Sequence, residues 1–169
     1  MRIIVSDSSC LIDLRKGSLL EPFLNLPYEI LIPDTLFEEE LIKFTQEQKC
    51  MLLNNGLKVV ELPGEAVIRA RKVEIAKPAL SIHDCLAFAL AERHPGCILL
   101  SGDGILRTLA IDHGIDVHGI LWVIDEMHQA ATATAAELYA ALSLFENDPT
   151  VRLPLRELRA FIKRYNELL

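Results

Sequence analysis

Short apolar runs and longer stretches of helical periodicity alternate along this chain. Residues 2–6, Arg-Ile-Ile-Val-Ser, form a β-branched run that reads as a strand buried on both faces. Residues 28–32, 57–62, 97–100 and 115–118 read as four further strands. Between them the pattern predicts helices over residues 10–14, 19–24, 65–76, 81–91 and 104–112. It also predicts one long helix from Asp34 or Thr35 to about residue 54. Asn55-Gly56, Pro63-Gly64 and Pro95-Gly96 supply the stops. After residue 118 only helices are predicted, over 120–129, 134–145 and 155–168, with Thr134 and Glu137 spaced as a capping box. Strand–helix alternation followed by helices implies an α/β fold with a mainly parallel central sheet and helices on both faces. Residues 1–130 are expected to form that domain, with residues 131–169 as a C-terminal helical extension packed on it.

Composition narrows the class. At 169 residues with 51% apolar positions, the chain suits one packed domain. No apolar run approaches the roughly 20 residues needed to span a bilayer. The start turns polar too soon for a signal peptide, so a cytoplasmic protein is expected. Cys10, Cys50, Cys85 and Cys97 have no zinc-like spacing, and three of them sit in apolar stretches, as reduced core residues do. The net charge of −7 argues against broad electrostatic binding of a polyanion, and leaves room for a local, metal-dependent site.

Ligands of open α/β sheets bind beyond the carboxyl ends of the strands, at a switch in strand order. Asp7 follows the first strand, and Asp103 follows the fourth in Leu-Leu-Ser-Gly-Asp-Gly. Asp84 falls in the first turn of the helix preceding that strand, and Glu39 in the second turn of the long helix. Each has a plain structural role available. Asp7 can cap the next helix, and Glu39 can favour a helix dipole within Glu38-Glu39-Glu40. Asp84 stands at capping-box spacing from Ser81, and Asp103 beside Gly104 suits a turn. Convergence of all four would raise their pKa values by mutual repulsion and call for a cation. Carboxylate oxygens with open water positions suit Mg²⁺ or Mn²⁺.

These residues resemble the motifs of PIN domains, in particular VapC-type toxins of toxin–antitoxin pairs. Val5-Ser6-Asp7-Ser8-Ser9 is similar to the family's opening motif, and Ile32-Pro33-Asp34-Thr35-Leu36-Phe37-Glu38-Glu39 to the segment carrying its helical glutamate. Ser81-Ile82-His83-Asp84 and Leu100-Ser101-Gly102-Asp103 are similar to the third and fourth motifs, with Ser101 where Thr is commoner. Glu39 is chosen among three adjacent glutamates because Leu36, three residues earlier, lies on the same inward face. The resemblance implies a PIN-like three-layer sandwich and a metal-dependent endoribonuclease. Asp7, Glu39, Asp84 and Asp103 then serve as catalytic metal ligands, with Ser8 and Ser101 orienting carboxylates or waters. It further implies an RNA substrate, an antitoxin partner and a homodimer.

Arg107, one turn past Asp103, is in reach of a phosphate or a surface ion pair. Arg156, Arg159 and Lys163 share a face of the last helix, with Arg152 and Arg164 nearby; a solvated face is the default for such a stripe. His83 is given a structural role. Two phosphotransfer folds on similar sheets fit poorly: Ser9 stands where a haloacid-dehalogenase-type phosphatase needs a second Asp, and a receiver's acidic pair is missing. A PIN-fold RNA-processing nuclease that is not a toxin, or a binding-only PIN protein, remains the alternative.

Overall fold

The computed structural model describes all residues from Met1 to Leu169. Its centre is β1 (Arg2–Ser6), where Ile4 and Val5 have no exposed surface. β1 is flanked by β2 (Tyr28–Pro33) and β4 (Ile98–Leu100), with Ile4 opposite Ile30 on one side and Ile98 on the other. β3 (Lys58–Val60) and β5 (Asp116–His118) close the two edges. The order is β3-β2-β1-β4-β5 and every pair is parallel. The chain runs outward from β1 through β2 to β3, then returns past β1 to β4 and β5. The direction of winding therefore reverses between β1 and β4, which places the switch point there.

Helices cover both faces, as parallel strands buried on both sides require. α1 (Ser8–Lys16) starts at once after β1, because the Asp7 side chain accepts the Cys10 N–H as an N-cap. α2 (Leu20–Leu24) follows it. α6 (Ile82–Glu92) is buried from Cys85 through Ala91, so it is apolar on all sides; it packs on α5 (Gly64–Ala76) and on β1, β2 and β4. α7 (Gly104–Asp112) links β4 to β5. α8 (Ile120–Gln129), α9 (Ala135–Asn147) and α10 (Leu155–Glu167) complete the chain, and one continuous apolar cluster runs from Ile4 to Tyr165.

One expected element is corrected. The long helix from residue 34 to 54 is two helices, α3 (Asp34–Glu39) and α4 (Gln46–Asn54), with Leu41 and Phe44 buried in the turn between them. The break has a local cause. Thr45 and Gln48 form a capping box that starts a new helix in the middle of the polar stretch.

The last helices are keyed to the first by a close approach. A Cβ built on Gly17 would lie 2.8 Å from Phe145 Cζ and 3.1 Å from Ala141 Cβ, so only glycine leaves room for α9. Gly17→Ala is expected to lower stability by about 1–3 kcal/mol through overpacking, measured by thermal or urea unfolding. Adding Phe145→Leu should recover part of that loss; purely additive losses would disprove the contact as its cause.

Candidate active site

The chain buries four polar side chains, Ser6, Asp7, Ser8 and Ser101, and all stand at the carboxyl ends of β1 and β4. The strand ends are tied by continued ladder bonds: Asp7 N–H donates to Leu100 O at 3.1 Å, and Ser101 N–H to His118 O at 3.0 Å. A crevice of about 1130 Å³ opens above this edge, and Asp7, Glu40, Asp84 and Asp103 line it.

Each aspartate is aimed by a helix it caps. Asp7 Oδ1 accepts the Cys10 N–H at 2.9 Å. Asp84 Oδ2 accepts the Ser81 N–H at 3.2 Å, while the Ser81 hydroxyl accepts the Asp84 N–H, a reciprocal capping box. Asp103 Oδ1 accepts the N–H groups of Ile105 and Leu106 at 3.0 and 2.9 Å. In all three the capping oxygen leaves the other carboxylate oxygen without a backbone donor. Capping and lining the crevice are thus simultaneous roles, and the structural readings of these acids do not compete with a functional one.

Of the adjacent glutamates, the one that lines the crevice is Glu40 and not the expected Glu39. Glu39, chosen from its spacing to Leu36, ends α3 with its side chain 60% exposed and hydrogen-bonded to His83 Nε2 at 2.8 Å. Glu40 lines the crevice instead, its side chain 34% exposed. The reason is the end of α3: Glu40 is the C-cap, at φ −103° and ψ −27°, where the chain turns toward α1. The buried Ser8 hydroxyl donates to Glu40 Oε1 at 2.6 Å and holds it there. His83 Nδ1 lies 3.6 Å from Glu40 Oε2, so the imidazole stands between the two glutamates. Ser101 is buried beside Asp7, and its hydroxyl accepts the Asp103 N–H at 3.1 Å.

Burial dominates the electrostatics of Asp7. It is 4% exposed, and desolvation pushes its pKa up from 3.8 to about 6; hydrogen bonds from Cys10 and Ser101 pull the other way, and the charge of Asp84 adds to the rise. Burial also drives the Cys10 thiol well above its usual range, so that sulfur stays protonated and inert.

Donor chemistry fits a hard divalent cation: carboxylate oxygens only, gathered in one crevice, with uncompensated buried charge at Asp7. In spacing, no group of three or more His, Cys, Asp or Glu side chains is drawn onto one point. Of the other residues singled out, Arg107 and Arg152 also line the crevice. Arg159 and Arg164 are engaged with Glu146 and Asp125, so the basic stripe of α10 is partly neutralised.

The model of the DUF3368 family, described as a PIN domain, matches residues 3–167. The chain belongs to the PIN domain family. PIN domains are generally nucleases and generally use divalent metal ions. A comparison with curated proteins gave no match. No helix is long and apolar enough to cross a membrane.

The raised pKa of Asp7 has a measurable sign. An acid whose folded pKa lies above its unfolded value destabilises the fold once both states are ionised. The penalty is absent below about pH 4, grows to about pH 6 and is complete above it. At full ionisation it amounts to at most about 3 kcal/mol. Asp7→Asn keeps the cap acceptor and removes the charge, so it should raise the melting temperature at pH 7.5 and leave it nearly unchanged at pH 3.5. Asp13 is pushed to about 6 by burial as well, but it is present in both proteins and cancels from the difference. An equal effect of Asp7→Asn at both pH values would contradict the burial argument.

Proposed function

We propose that this protein is an endoribonuclease dependent on Mg²⁺ or Mn²⁺, with Asp7, Glu40, Asp84 and Asp103 holding the ion. The observation that carries the reading is that these four carboxylates, from four separate segments, line one crevice at the β1/β4 switch. When bound, the ion supplies an acidified water and neutralises charge on the attacked phosphate. Within the chain, Ser8 fixes the orientation of Glu40, and Ser101 links the backbone of Asp103 to the carboxylate of Asp7. Burial of Asp7 excludes water from one side of the site, so its charge is satisfied by ligand instead of solvent. His83 restrains Glu39 outside the crevice and reaches toward Glu40 from the other side.

In this reading Glu40, which lines the crevice, takes the metal role expected of Glu39. The four-motif resemblance supports a toxin of the VapC type, with an antitoxin that blocks the crevice and a homodimer as the working form. A housekeeping RNA-processing nuclease would use the same carboxylates, and the two differ in whether a small neighbouring reading frame encodes an inhibitor.

Purified protein incubated with total RNA and Mn²⁺ or Mg²⁺ is expected to give discrete fragments that EDTA abolishes. Asp7→Asn should reduce cleavage by about 100-fold or more. Glu40→Gln should cut the rate at least about tenfold further than Glu39→Gln does; the reverse order would return the metal role to Glu39. Without RNA, millimolar Mn²⁺ should raise the melting temperature of the wild type at pH 7.5 more than that of Asp7→Asn, since only the former carries buried charge to neutralise. No metal-dependent cleavage together with no metal-induced stabilisation would overturn the proposal.

A further inference from the structure

The crevice is lined by cationic and aromatic side chains as well as by acids. Beyond the carboxylates its wall includes Arg107 from α7, His118 at the end of β5, Trp122 from α8 and Arg152 from the segment before α10. Arg107 and Arg152 take part in no ion pair, although Arg2, Arg69, Arg71, Arg93, Arg159 and Arg164 each find a carboxylate. Arg107 is half-buried, and its guanidinium packs over Gly119; a Cβ there would lie 3.1 Å from Arg107 Nη1. The glycine thus makes room for a cation held at the crevice with nothing anionic bound to it.

The same crevice is lined by a built aromatic surface. His118 stacks on Trp122 with ring centroids 4.4 Å apart and planes at 15°. Trp122 is braced from the side by Tyr28, edge-on at 5.9 Å and 61°, and His118 Nε2 is 3.2 Å from Asp116. Both rings are therefore positioned before any ligand arrives. Flat aromatic surface flanked by free guanidinium groups is the chemistry that holds an unpaired nucleotide: the base stacks and the phosphates pair with the arginines.

We propose that His118, Trp122, Arg107 and Arg152 form a nucleotide subsite that seats the substrate strand beside the carboxylates. The base extends the His118–Trp122 stack, and the two guanidinium groups bind backbone phosphates. A base inside a duplex has both faces covered, so the subsite selects unpaired nucleotides. This assignment rests on the nuclease reading of the adjoining acids, and it gives the crevice a second, metal-independent function.

Trp122 is the chain's one tryptophan, so its fluorescence reports on the subsite alone. The probe is a single-stranded 2′-O-methyl RNA oligonucleotide of mixed sequence, in EDTA, with its duplex and an abasic counterpart for comparison. The single strand is expected to quench the tryptophan, and the duplex and abasic forms to do so far less. By anisotropy of a labelled strand, Trp122→Leu should weaken binding about tenfold while Trp122→Phe retains most of it. Arg107→Ala and Arg152→Ala should each weaken it several-fold and lower the salt dependence by about one counterion. Melting curves of each variant separate lost contacts from lost fold. Binding that leaves the fluorescence unchanged, binding insensitive to both arginines, or no binding at low salt would overturn the subsite; the last result would make a protein segment the better occupant. Metal-dependent cleavage scored in parallel keeps the two readings apart. Cleavage with an unresponsive tryptophan sinks the subsite alone, and quenching without cleavage under any metal sinks the nuclease reading alone.

Discussion

The site is organised by one expensive placement, the carboxylate of Asp7 at the buried end of the central strand. β1 has neighbours on both sides and helices on both faces, so a residue just past its end has little access to water. A charge there is tolerable only if other groups satisfy it. The Cys10 N–H and the Ser101 hydroxyl do so in part, and burial still pushes the pKa up to about 6. The remaining buried polar side chains, Ser6, Ser8 and Ser101, gather at the same edge. Elsewhere the interior is mostly apolar; the Tyr165 hydroxyl donates to Asp125 at 2.8 Å, and the Thr132 hydroxyl is buried without a partner.

Around Asp7 the fold uses helix starts to deliver further acids. Helices α1, α6 and α7 begin with a carboxylate that caps them or their neighbouring N–H groups, and the chain places all three starts at one crevice. A capping aspartate has little rotational freedom, so its second oxygen is oriented in advance. Capping therefore serves both the stability of each helix and the presentation of donors. Glu40 differs, since it arrives from a helix end and needs Ser8 to hold it. The lining of the crevice also includes Arg107, Arg152 and an aromatic stack.

Much of this was legible before any tertiary structure. The strand runs, the stops at Asn55-Gly56 and Pro95-Gly96, and the capping box at Thr134 and Glu137 all appear at or near their expected places. Two readings failed locally for identifiable reasons. The capping box of Thr45 and Gln48 lay inside a stretch whose periodicity looked continuous, so two helices were merged into one. Once α3 ends at Glu39, helical spacing from Leu36 no longer dictates which glutamate faces inward; the turn does. The wall of the crevice was less legible still. His118 and Trp122 stand four residues apart across a strand–helix junction, and neither local pattern announces that their rings stack.

By itself the sequence determined the class of fold and singled out three of the acids that line the crevice, Asp7, Asp84 and Asp103. Period-two and period-3.6 patterns are set by neighbouring residues, and Asp7, Asp84 and Asp103 each follow a local rule, the end of a strand or the start of a helix. Only the tertiary structure decided that β1 and β4 are neighbours, that Glu40 and not Glu39 lines the crevice, and that two arginines outside any ion pair share its wall with an aromatic stack. Those outcomes depend on strand order, on where a helix breaks and on which distant side chains share a wall. Such long-range terms are fixed by the packing of the whole chain, and no short window of residues contains them.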